Sequence, residues 1–343
     1  MSEFINQGSY GCVYSPAFNC EDPDPIPAGN RVTKIFKTDR TEMNPHNFYK
    51  NYKTERTLLK AITDLLGQID PNEDYYVYKF HTCKFKLAEN IAKITRTCKN
   101  QKTIFKSPPG LTDIWGLNFS KGDRDLKNII DTLNPADISQ YLALLNQLGN
   151  VITGIHKLNE NGIYHLDIKP GNIIIQNNVL KIIDFGLCKK LTQTNRLQSI
   201  FLSIYEYWPI ETLWLATPIT PNSIFDHMVN YETHLTNTFR TVKVDFTSVN
   251  ITLPPPPVPL LDTDHQIYNI IDVWSFGIIL YEVYNKMPAT QEFRNLKKNL
   301  EIMIKSLLSG PRKKSPEALQ WYTAFLQKIN NVGPAASVWM IRN

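Results

Sequence analysis

A polar stretch enclosed by apolar segments is the feature that most restricts how this chain can fold. Residues 164–175 read Tyr-His-Leu-Asp-Ile-Lys-Pro-Gly-Asn-Ile-Ile-Ile, so Asp167, Lys169 and Asn172 lie close together. Apolar periodicity predicts an amphipathic helix over 138–158 before this stretch, and β-branched residues predict a strand after it. A loop that places several polar side chains beside isoleucine and leucine is expected to present them to a ligand.

A second carboxylate follows this loop. Residues 180–186, Leu-Lys-Ile-Ile-Asp-Phe-Gly, predict a strand that ends at Asp184, and a turn at 177–178 separates it from the strand before. We therefore expect Asp167, Asn172 and Asp184 to converge. Two carboxylates and an amide oxygen suit Mg²⁺ held jointly with phosphates, and a carboxylate not bound to the metal can accept a proton from an alcohol. Taken singly, each residue is explained equally well as a solvated loop side chain or a helix cap.

The N-terminal region predicts short strands around one helix. Gly8 and Gly11 lie in a turn between the first two strands, where glycine lets a phosphate approach the backbone closely. Glycine turns between strands are common, so this signal gains weight only from the residues that follow. The predicted strands are Phe4–Ile5, Cys12–Tyr14 and Val32–Phe36, and the predicted helix is Tyr52–Leu66.

A lysine and a glutamate stand out in this region. Lys34 lies inside an apolar strand, and Glu55 lies on the apolar side of the predicted helix, four residues before Leu59. A charge that faces a buried side needs a partner. We expect Lys34 to pair with Glu55 and to bridge it to a bound phosphate; a solvent-exposed strand lysine is the alternative.

Together these motifs resemble those of the eukaryotic-type protein kinases, and the resemblance extends over nearly the whole chain. Residues 165–172 resemble the catalytic loop and residues 184–186 the metal-binding Asp-Phe-Gly, and these two motifs are highly specific. Residues 6–13 resemble the Gly-rich loop, residues 208–211 (Trp-Pro-Ile-Glu) the end of the activation segment, and residues 272–277 a buried helix that carries an aspartate.

The resemblance implies the α+β class and a bilobal protein-kinase-like fold. Its N-lobe would be β-rich with one main helix, and its C-lobe mostly helical. We expect one kinase domain over residues 1–343, with an N-lobe of 1–117 and a C-lobe of 118–343. A proline-containing stretch at about 212–266 separates two family motifs and is predicted to be an insertion in the C-lobe.

The implied activity is transfer of the γ-phosphoryl group of ATP to Ser or Thr hydroxyls of proteins, with Mg²⁺ or alternatively Mn²⁺ as the metal. By this resemblance, Asp167 orients and deprotonates the hydroxyl, and Lys169 neutralises charge on the transferring group. Asn172 and Asp184 hold the metal. A lysine at position 169 is typical of the Ser/Thr kinases of this family rather than of its tyrosine kinases.

The same resemblance implies a nucleotide site. Lys34 would clamp the α- and β-phosphates and be positioned by Glu55, while Val13, Val32 and Ile174 would sandwich the adenine. Core packing explains these three apolar residues equally well. The residues implied to bind the nucleotide are Asn6, Gly8, Gly11, Val13, Val32, Lys34, Glu55 and Ile174.

Two departures from the family pattern concern function. Asn6 replaces the first glycine of the Gly-rich loop, which should stiffen the loop without preventing nucleotide binding. Leu166 replaces the arginine that in this family pairs with a phosphate on the activation segment. We therefore predict that activity does not require such phosphorylation. The hydroxyl residues available for it are Thr192, Thr194, Ser199 and Ser203.

Two sequence patterns, a basic cluster and a proline run, have no role in the kinase interpretation. The net charge is +5, and residues 79–106 carry eight lysines and arginines against one acid, Glu89. Such a cluster indicates a solvated face, or a docking site for an acidic partner or nucleic acid. Residues 254–259 have proline at five of six positions, which favours a polyproline II segment acting as a spacer or as a docking peptide.

The cysteines and the N-terminus bear on the compartment. The five cysteines are an odd number without C-x-x-C spacing, which argues against a zinc site. Without a signal peptide they are expected to be small buried or half-buried side chains in a reducing compartment. No signal peptide and no apolar run of membrane length is predicted, so we expect a cytoplasmic location and no membrane contact. More weakly, residues 8–17, the Trp-Pro-Ile-Glu ending and the long insertion resemble kinases of large nucleocytoplasmic DNA viruses, which would imply the host cytoplasm or the virion.

Two other function classes stay open. A pseudokinase scaffold would bind nucleotide and partners without phosphoryl transfer. Such proteins usually lack one of five functional residues of the family, which in this chain are all present as Lys34, Glu55, Asp167, Asn172 and Asp184. A small-molecule or lipid phosphotransferase with the same fold is the other alternative. Lys169 and the Trp-Pro-Ile-Glu segment favour a protein acceptor.

Overall fold

The computed structural model describes residues 3–7, 11–22, 28–36, 45–86, 94, 112–191, 207–209, 212, 264–308 and 313–331. The chain divides into two compact units, Met1–Asp123 and Arg124–Asn343. The division falls later than the predicted lobe boundary at 117, because a strand over Asp113–Ser120 crosses that position. The first unit is β-rich with one long helix and the second is mostly helical, which confirms the α+β class.

The N-terminal unit is an antiparallel five-stranded sheet with one helix. Its elements are β1 (Glu3–Gln7), β2 (Gly11–Ser15), β3 (Arg31–Phe36), α1 (Pro45–Ile69), β4 (Phe80–Lys86) and β5 (Asp113–Ser120). The described strands are ordered β1-β2-β3-β5-β4, so β4 lies at one end of that order. The predicted strands and helix are confirmed. Helix α1 begins earlier than predicted, at Pro45, a residue favoured in the first turn of a helix.

The two faces of this sheet differ in burial. Val13 lies opposite Lys34 in the β2–β3 pair, and directly opposed residues share a face. Val32 is two residues before Lys34 and therefore lies on the same face. All three are half-buried, which leaves part of each side chain accessible. The core on the other face consists of Cys12, Tyr14, Phe18, Ile35, Cys83, Phe85, Ile94 and Ile114.

The predicted reducing compartment implies free thiols, and this is wrong for the cysteines of this sheet. Cys20 and Cys83 form a disulfide with their Cα atoms 5.0 Å apart, and Cys12 is also disulfide-bonded. Cys20 and Cys83 are 63 positions apart and meet because segment 17–22 runs beside β4, so local spacing rules could not find the bond. Cys188 is free and buried as predicted, and burial raises the pKa of its thiol. Because disulfides persist in oxidising environments, the cysteines no longer support a reducing compartment.

Segment 17–22 also contributes an ion-pair network. The Glu21 carboxylate lies 2.8 Å from the Nζ atoms of both Lys84 and Lys86, and Asp113 lies 3.2 and 2.7 Å from the same two atoms. Hydrogen bonds from the two lysines hold the pKa of Glu21 below its ordinary value. The Nζ atom of Lys79 lies 3.7 Å from Oε2 of Glu73. Each described lysine of the basic cluster thus faces a carboxylate of this chain, and docking by the cluster now depends on its members outside the described residues.

We expect the Cys20–Cys83 disulfide to stabilise the N-terminal unit. Replacing both residues by alanine should lower the free energy of unfolding by about 2–4 kcal/mol, because the bond restricts a long loop in the unfolded chain. Either single alanine variant should lose about as much as the double variant, since each removes the same bond. Urea unfolding measures these losses, and peptide mapping under non-reducing conditions identifies the cross-link. Single losses that sum to the double loss would contradict the prediction.

The C-terminal unit is built mainly from helices. Its elements are α2 (Leu126–Asp131), α3 (Ile138–Glu160), β6 (Ile163–Tyr164), β7 (Ile173–Gln176), β8 (Val179–Ile182), β9 (Lys189–Lys190), α4 (Asp264–Lys286), α5 (Arg294–Leu308) and α6 (Ser315–Asn330). β7 and β8 pair antiparallel, which confirms the two predicted strands around 177–178, and β6 pairs with β9. Helix α4 is buried along residues 270–281, as expected for a helix without a polar face.

Some predicted features fall outside this description. Most of the predicted insertion at 212–266, including the proline run at 254–259, lies outside the described residues. Within the described ranges, no helix combines the length and the apolar character that crossing a bilayer requires.

Candidate active site

Asp272 on α4 fixes the start of the loop 165–172. Its Oδ2 accepts a hydrogen bond from the backbone N–H of His165, and its Oδ1 accepts one from that of Leu166, both at 2.8 Å. The side-chain amide of Asn159 lies 3.4 Å from Oδ2. Burial raises the pKa of the Asp272 carboxyl, and the contacts with His165 and Leu166 offset part of that rise. A buried carboxylate with these donors ties α4 to the loop.

The polar side chains of the loop contact one another. Lys169 Nζ lies 3.0 and 2.9 Å from the two carboxylate oxygens of Asp167. The Asn172 amide nitrogen donates to the backbone oxygen of Asp167 at 2.8 Å and to its Oδ2 at 2.7 Å. Asp167 and Asn172 are buried, whereas Lys169 is half-buried. The amide of Asn172 therefore turns its nitrogen toward Asp167 and its oxygen away from it.

His165 links the loop to the residues that follow β8. Its Nδ1 accepts from the backbone N–H of Asp167 at 3.2 Å, and its Nε2 lies 3.0 Å from the carbonyl oxygen of Ile183. A neutral ring with its proton on Nε2 satisfies both contacts. The ring also packs edge-on against Phe185, with centroids 5.0 Å apart.

Asp184 is brought beside Asn172 by the backbone. The N–H of Ile183 donates to the carbonyl oxygen of Asn172 at 2.9 Å, so the next residue, Asp184, lies close to the loop. Asp184 has a left-handed backbone with φ 65° and ψ 71°, a conformation that few residues other than glycine adopt. The β7–β8 hairpin before it and a 3-10 turn over Phe185–Leu187 after it hold this conformation.

The donor atoms near Asn172 and Asp184 fit a magnesium ion that arrives with phosphates. Mg²⁺ prefers oxygen ligands and is usually held by one or two protein groups together with substrate phosphates and water. An amide oxygen and a carboxylate provide such a partial set. In the described part of the chain, no group of three or more His, Cys, Asp or Glu side chains forms a metal site by itself. The residues present therefore suit a metal shared with a nucleotide.

The nucleotide-binding residues predicted in the N-terminal unit are described only in part. Lys34 shares one face of the sheet with the two valines named above. Gly11 begins β2 and Asn6 lies in β1. Gly8 and the side chain of Glu55 lie outside the described residues, although the backbone of Glu55 lies within α1. The pairing of Lys34 with Glu55 stays a prediction.

Ile174 lies in the C-terminal unit near the loop. It is half-buried on β7, opposite Lys181, and forms an isolated β-bridge with Asp125. The Asp125 carboxylate accepts from the backbone N–H of Asn128 at 2.7 Å and caps helix α2. Asp125 therefore has a structural role at the start of α2.

Two structural contacts of the loop were not found from the sequence. The resemblance identifies Asp272 only as the aspartate of a buried helix. A single carboxylate in an apolar helix also indicates a buried acceptor that needs hydrogen-bond donors. The indole Nε1 of Trp208 donates to the carbonyl oxygen of Leu166 at 2.7 Å. No local pattern predicts this contact, because the two residues are 42 positions apart.

Comparison with known proteins adds an independent observation. Residues 116–223 match the protein kinase domain family, a range that includes the loop, Asp184 and Trp208. A probable serine/threonine-protein kinase of Dictyostelium discoideum is 28% identical over 297 residues, which cover 82% of this chain and 56% of that protein. The chain is related to the eukaryotic-type Ser/Thr protein kinases.

Other proteins similar to this chain come from plants and animals. A chloroplastic serine/threonine-protein kinase of Arabidopsis thaliana is 21% identical over 341 residues, covering 90% of this chain and 58% of that protein. Cyclin-dependent kinase 7 of Xenopus laevis is 37% identical over 120 residues, covering 32% of this chain and 30% of that protein. The chain thus spans at most 58% of the length of these three curated relatives. The resemblance to viral kinases stays a prediction.

Proposed function

We propose that this chain transfers the γ-phosphoryl group of ATP to Ser or Thr hydroxyls of protein substrates. The observation that carries the proposal is the contact set in which Lys169 and Asn172 both hold the buried carboxylate of Asp167. Two donors fix the direction of that carboxylate, as a proton acceptor for a bound hydroxyl requires. The relationship to Ser/Thr kinases supports a protein acceptor.

The loop residues perform distinct parts of the transfer. Asp167 orients the substrate hydroxyl and accepts its proton as the oxygen forms a bond to the γ-phosphorus and the bond to the β-phosphate oxygen breaks. Lys169, 2.9 Å from Asp167, neutralises negative charge on the transferring group. Most of the rate enhancement in such a reaction comes from positioning and charge stabilisation.

The remaining predicted residues hold the nucleotide. Asn172 and Asp184 would hold Mg²⁺, or Mn²⁺ in its place, which neutralises phosphate charge when bound. Lys34 would contact the α- and β-phosphates, and Val13, Val32 and Ile174 would line the adenine. The other residues proposed to contact or support the nucleotide are Asn6, Gly8, Gly11 and Glu55.

The proposed activity implies a protein substrate but names no further partner. Docking through the proline run at 254–259, docking of an acidic partner at the basic region 79–106 and a cytoplasmic location stay predictions from the sequence.

Labelling with ATP tests the proposed function. The full chain incubated with γ-labelled ATP, Mg²⁺ and a generic basic protein should label that protein on serine and threonine in phosphoamino acid analysis. Asp184→Asn should abolish labelling, because it keeps the size of the side chain but removes the charge proposed to bind the metal. Asp64→Asn makes the same change at an exposed carboxylate on α1 and should label like the wild type.

Four outcomes would contradict the proposal or a part of it. Binding of nucleotide without labelling of any acceptor would indicate a pseudokinase. Labelling of small alcohols alone would indicate a small-molecule phosphotransferase, and labelling of tyrosine alone would exclude Ser/Thr specificity. Equal labelling by the wild type and Asp184→Asn would remove Asp184 from the proposed metal site.

A further inference from the structure

Tyr207 and Trp208 lie where the chain resembles the end of the activation segment. Three hydrogen bonds within the C-terminal unit hold this short segment, residues 207–209. The indole Nε1 of Trp208 donates to the carbonyl oxygen of Leu166 at 2.7 Å. The hydroxyl of Tyr207 donates to Glu282 Oε1 at 2.6 Å, and the hydroxyl of Ser275 donates to the carbonyl oxygen of Tyr207 at 2.6 Å. Two of these bonds hold the segment to α4, and the third holds it to the catalytic loop.

Leu166 and Trp208 lie in a buried apolar cluster. Leu166 is fully buried, and Trp208 is 4% exposed. The cluster consists of Tyr164, Leu166, Trp208, Tyr268 and Ile271, with Leu187 and Leu191 packed against it. An apolar cluster is a poor site for a phosphate, because a buried charge needs a partner. Packing and the indole hydrogen bond therefore hold Trp208 against Leu166, the residue that replaces the arginine of the family pattern.

The backbone of Leu166 requires this support. Its φ is 64°, in the left-handed region that a leucine rarely adopts. Its N–H is held by Asp272 at 2.8 Å, and its carbonyl oxygen is held by Trp208. That carbonyl belongs to the peptide group that leads into Asp167. The orientation of this peptide group sets the direction in which Asp167 leaves the backbone.

We propose that Trp208 is a positioning residue for Asp167. By donating to the Leu166 carbonyl, it holds the catalytic loop in its working conformation without a phosphate on the activation segment. The inference rests on the proposed phosphoryl transfer and extends it to regulation: the loop is constitutively held by a hydrogen bond within the chain.

Trp208→Phe tests this role, because phenylalanine keeps an aromatic ring but lacks the N–H donor. We expect kcat to fall about 10-fold, while KM for ATP stays within about 2-fold of the wild type. Trp321→Phe makes the same change on α6 and should leave both kcat and KM unchanged. The ring of Trp321 contacts Lys313, whose Nζ lies 4.7 Å from the ring centroid. Hydrogen exchange of the peptide over residues 163–168 should be faster in Trp208→Phe than in Trp321→Phe.

A second arm tests independence from phosphorylation. The variant with alanine at Thr192, Thr194, Ser199 and Ser203 should keep kcat within about 2-fold of the wild type, as should wild-type protein treated with a phosphatase. Loss of transfer in either sample would overturn the inference.

The two proposals fail in different ways. A wild type that transfers no phosphoryl group contradicts the proposed function. Hydrogen exchange then still tests whether Trp208 holds the Leu166 carbonyl group. A wild type that transfers, together with a Trp208→Phe variant of unchanged kcat, contradicts the positioning role. A Trp208→Phe variant that raises KM and leaves kcat intact would likewise overturn it.

Discussion

Asp167→Asn should lower kcat for phosphoryl transfer by about 10²–10⁴-fold, the range expected when a general base is removed. KM for ATP should change little, because Asp167 is proposed to act on the acceptor hydroxyl rather than on the nucleotide. The substitution keeps the size of the side chain but replaces one acceptor oxygen by a donor. Lys169 and Asn172 both donate to this carboxylate, so the new amide faces two donors and also loses part of its orientation.

Steady-state kinetics with γ-labelled ATP and a basic protein measures this effect. Asp64→Asn, on the exposed face of α1, provides the matched control and should keep the wild-type kcat. Nucleotide binding by Asp167→Asn, measured by a shift of its melting temperature with Mg²⁺ and ATP, separates loss of chemistry from loss of fold. A kcat within a few-fold of the wild type would exclude Asp167 as the proton acceptor.

Asp272→Ala should lower the free energy of unfolding of the C-terminal unit by about 3–5 kcal/mol. Alanine removes both carboxylate oxygens and leaves the buried N–H groups of His165 and Leu166 without their acceptor. Asp272→Asn retains one acceptor oxygen and should lose less. Both variants should also transfer phosphate more slowly, because Leu166 leads directly into Asp167.

Urea unfolding gives the free energies, and hydrogen exchange of residues 163–168 locates the effect. An alanine variant too unstable to purify leaves the asparagine variant to test the prediction. Asp64→Ala should change the free energy of unfolding by no more than about 0.5 kcal/mol, as expected for an exposed side chain. Unchanged exchange of the 163–168 peptide in Asp272→Asn would show that the carboxylate does not hold the loop.

Local sequence patterns predict the helix and strands that carry the candidate site. The β7–β8 hairpin follows from two isoleucine-rich runs around an Asn-Asn turn, and α3 follows from its apolar periodicity. Asp167, Lys169 and Asn172 are neighbours along the chain, so their contacts follow from the conformation of one loop.

Contacts between distant parts of the chain could not be read from local patterns. The Cys20–Cys83 disulfide spans 63 positions, and the hydrogen bond between Asp272 and the N–H of His165 spans 107. Such contacts depend on how elements pack, which periodicity and spacing do not encode. The error over the cysteines has this origin, because a reducing compartment is predicted from the absence of a signal peptide, whereas the Cys20–Cys83 bond forms where segment 17–22 runs beside β4.

That segment has a further consequence for the behaviour of the protein in solution. Strand β4 lies at one end of the sheet formed by the described strands, and an edge strand can pair with a strand of another molecule. The N–H of Glu21 donates to the carbonyl oxygen of Lys84 on this edge at 2.7 Å, and the disulfide and the Glu21 ion pairs fasten the segment there. The segment thus covers part of this edge, and we expect reduction of the disulfide to favour self-association through β4.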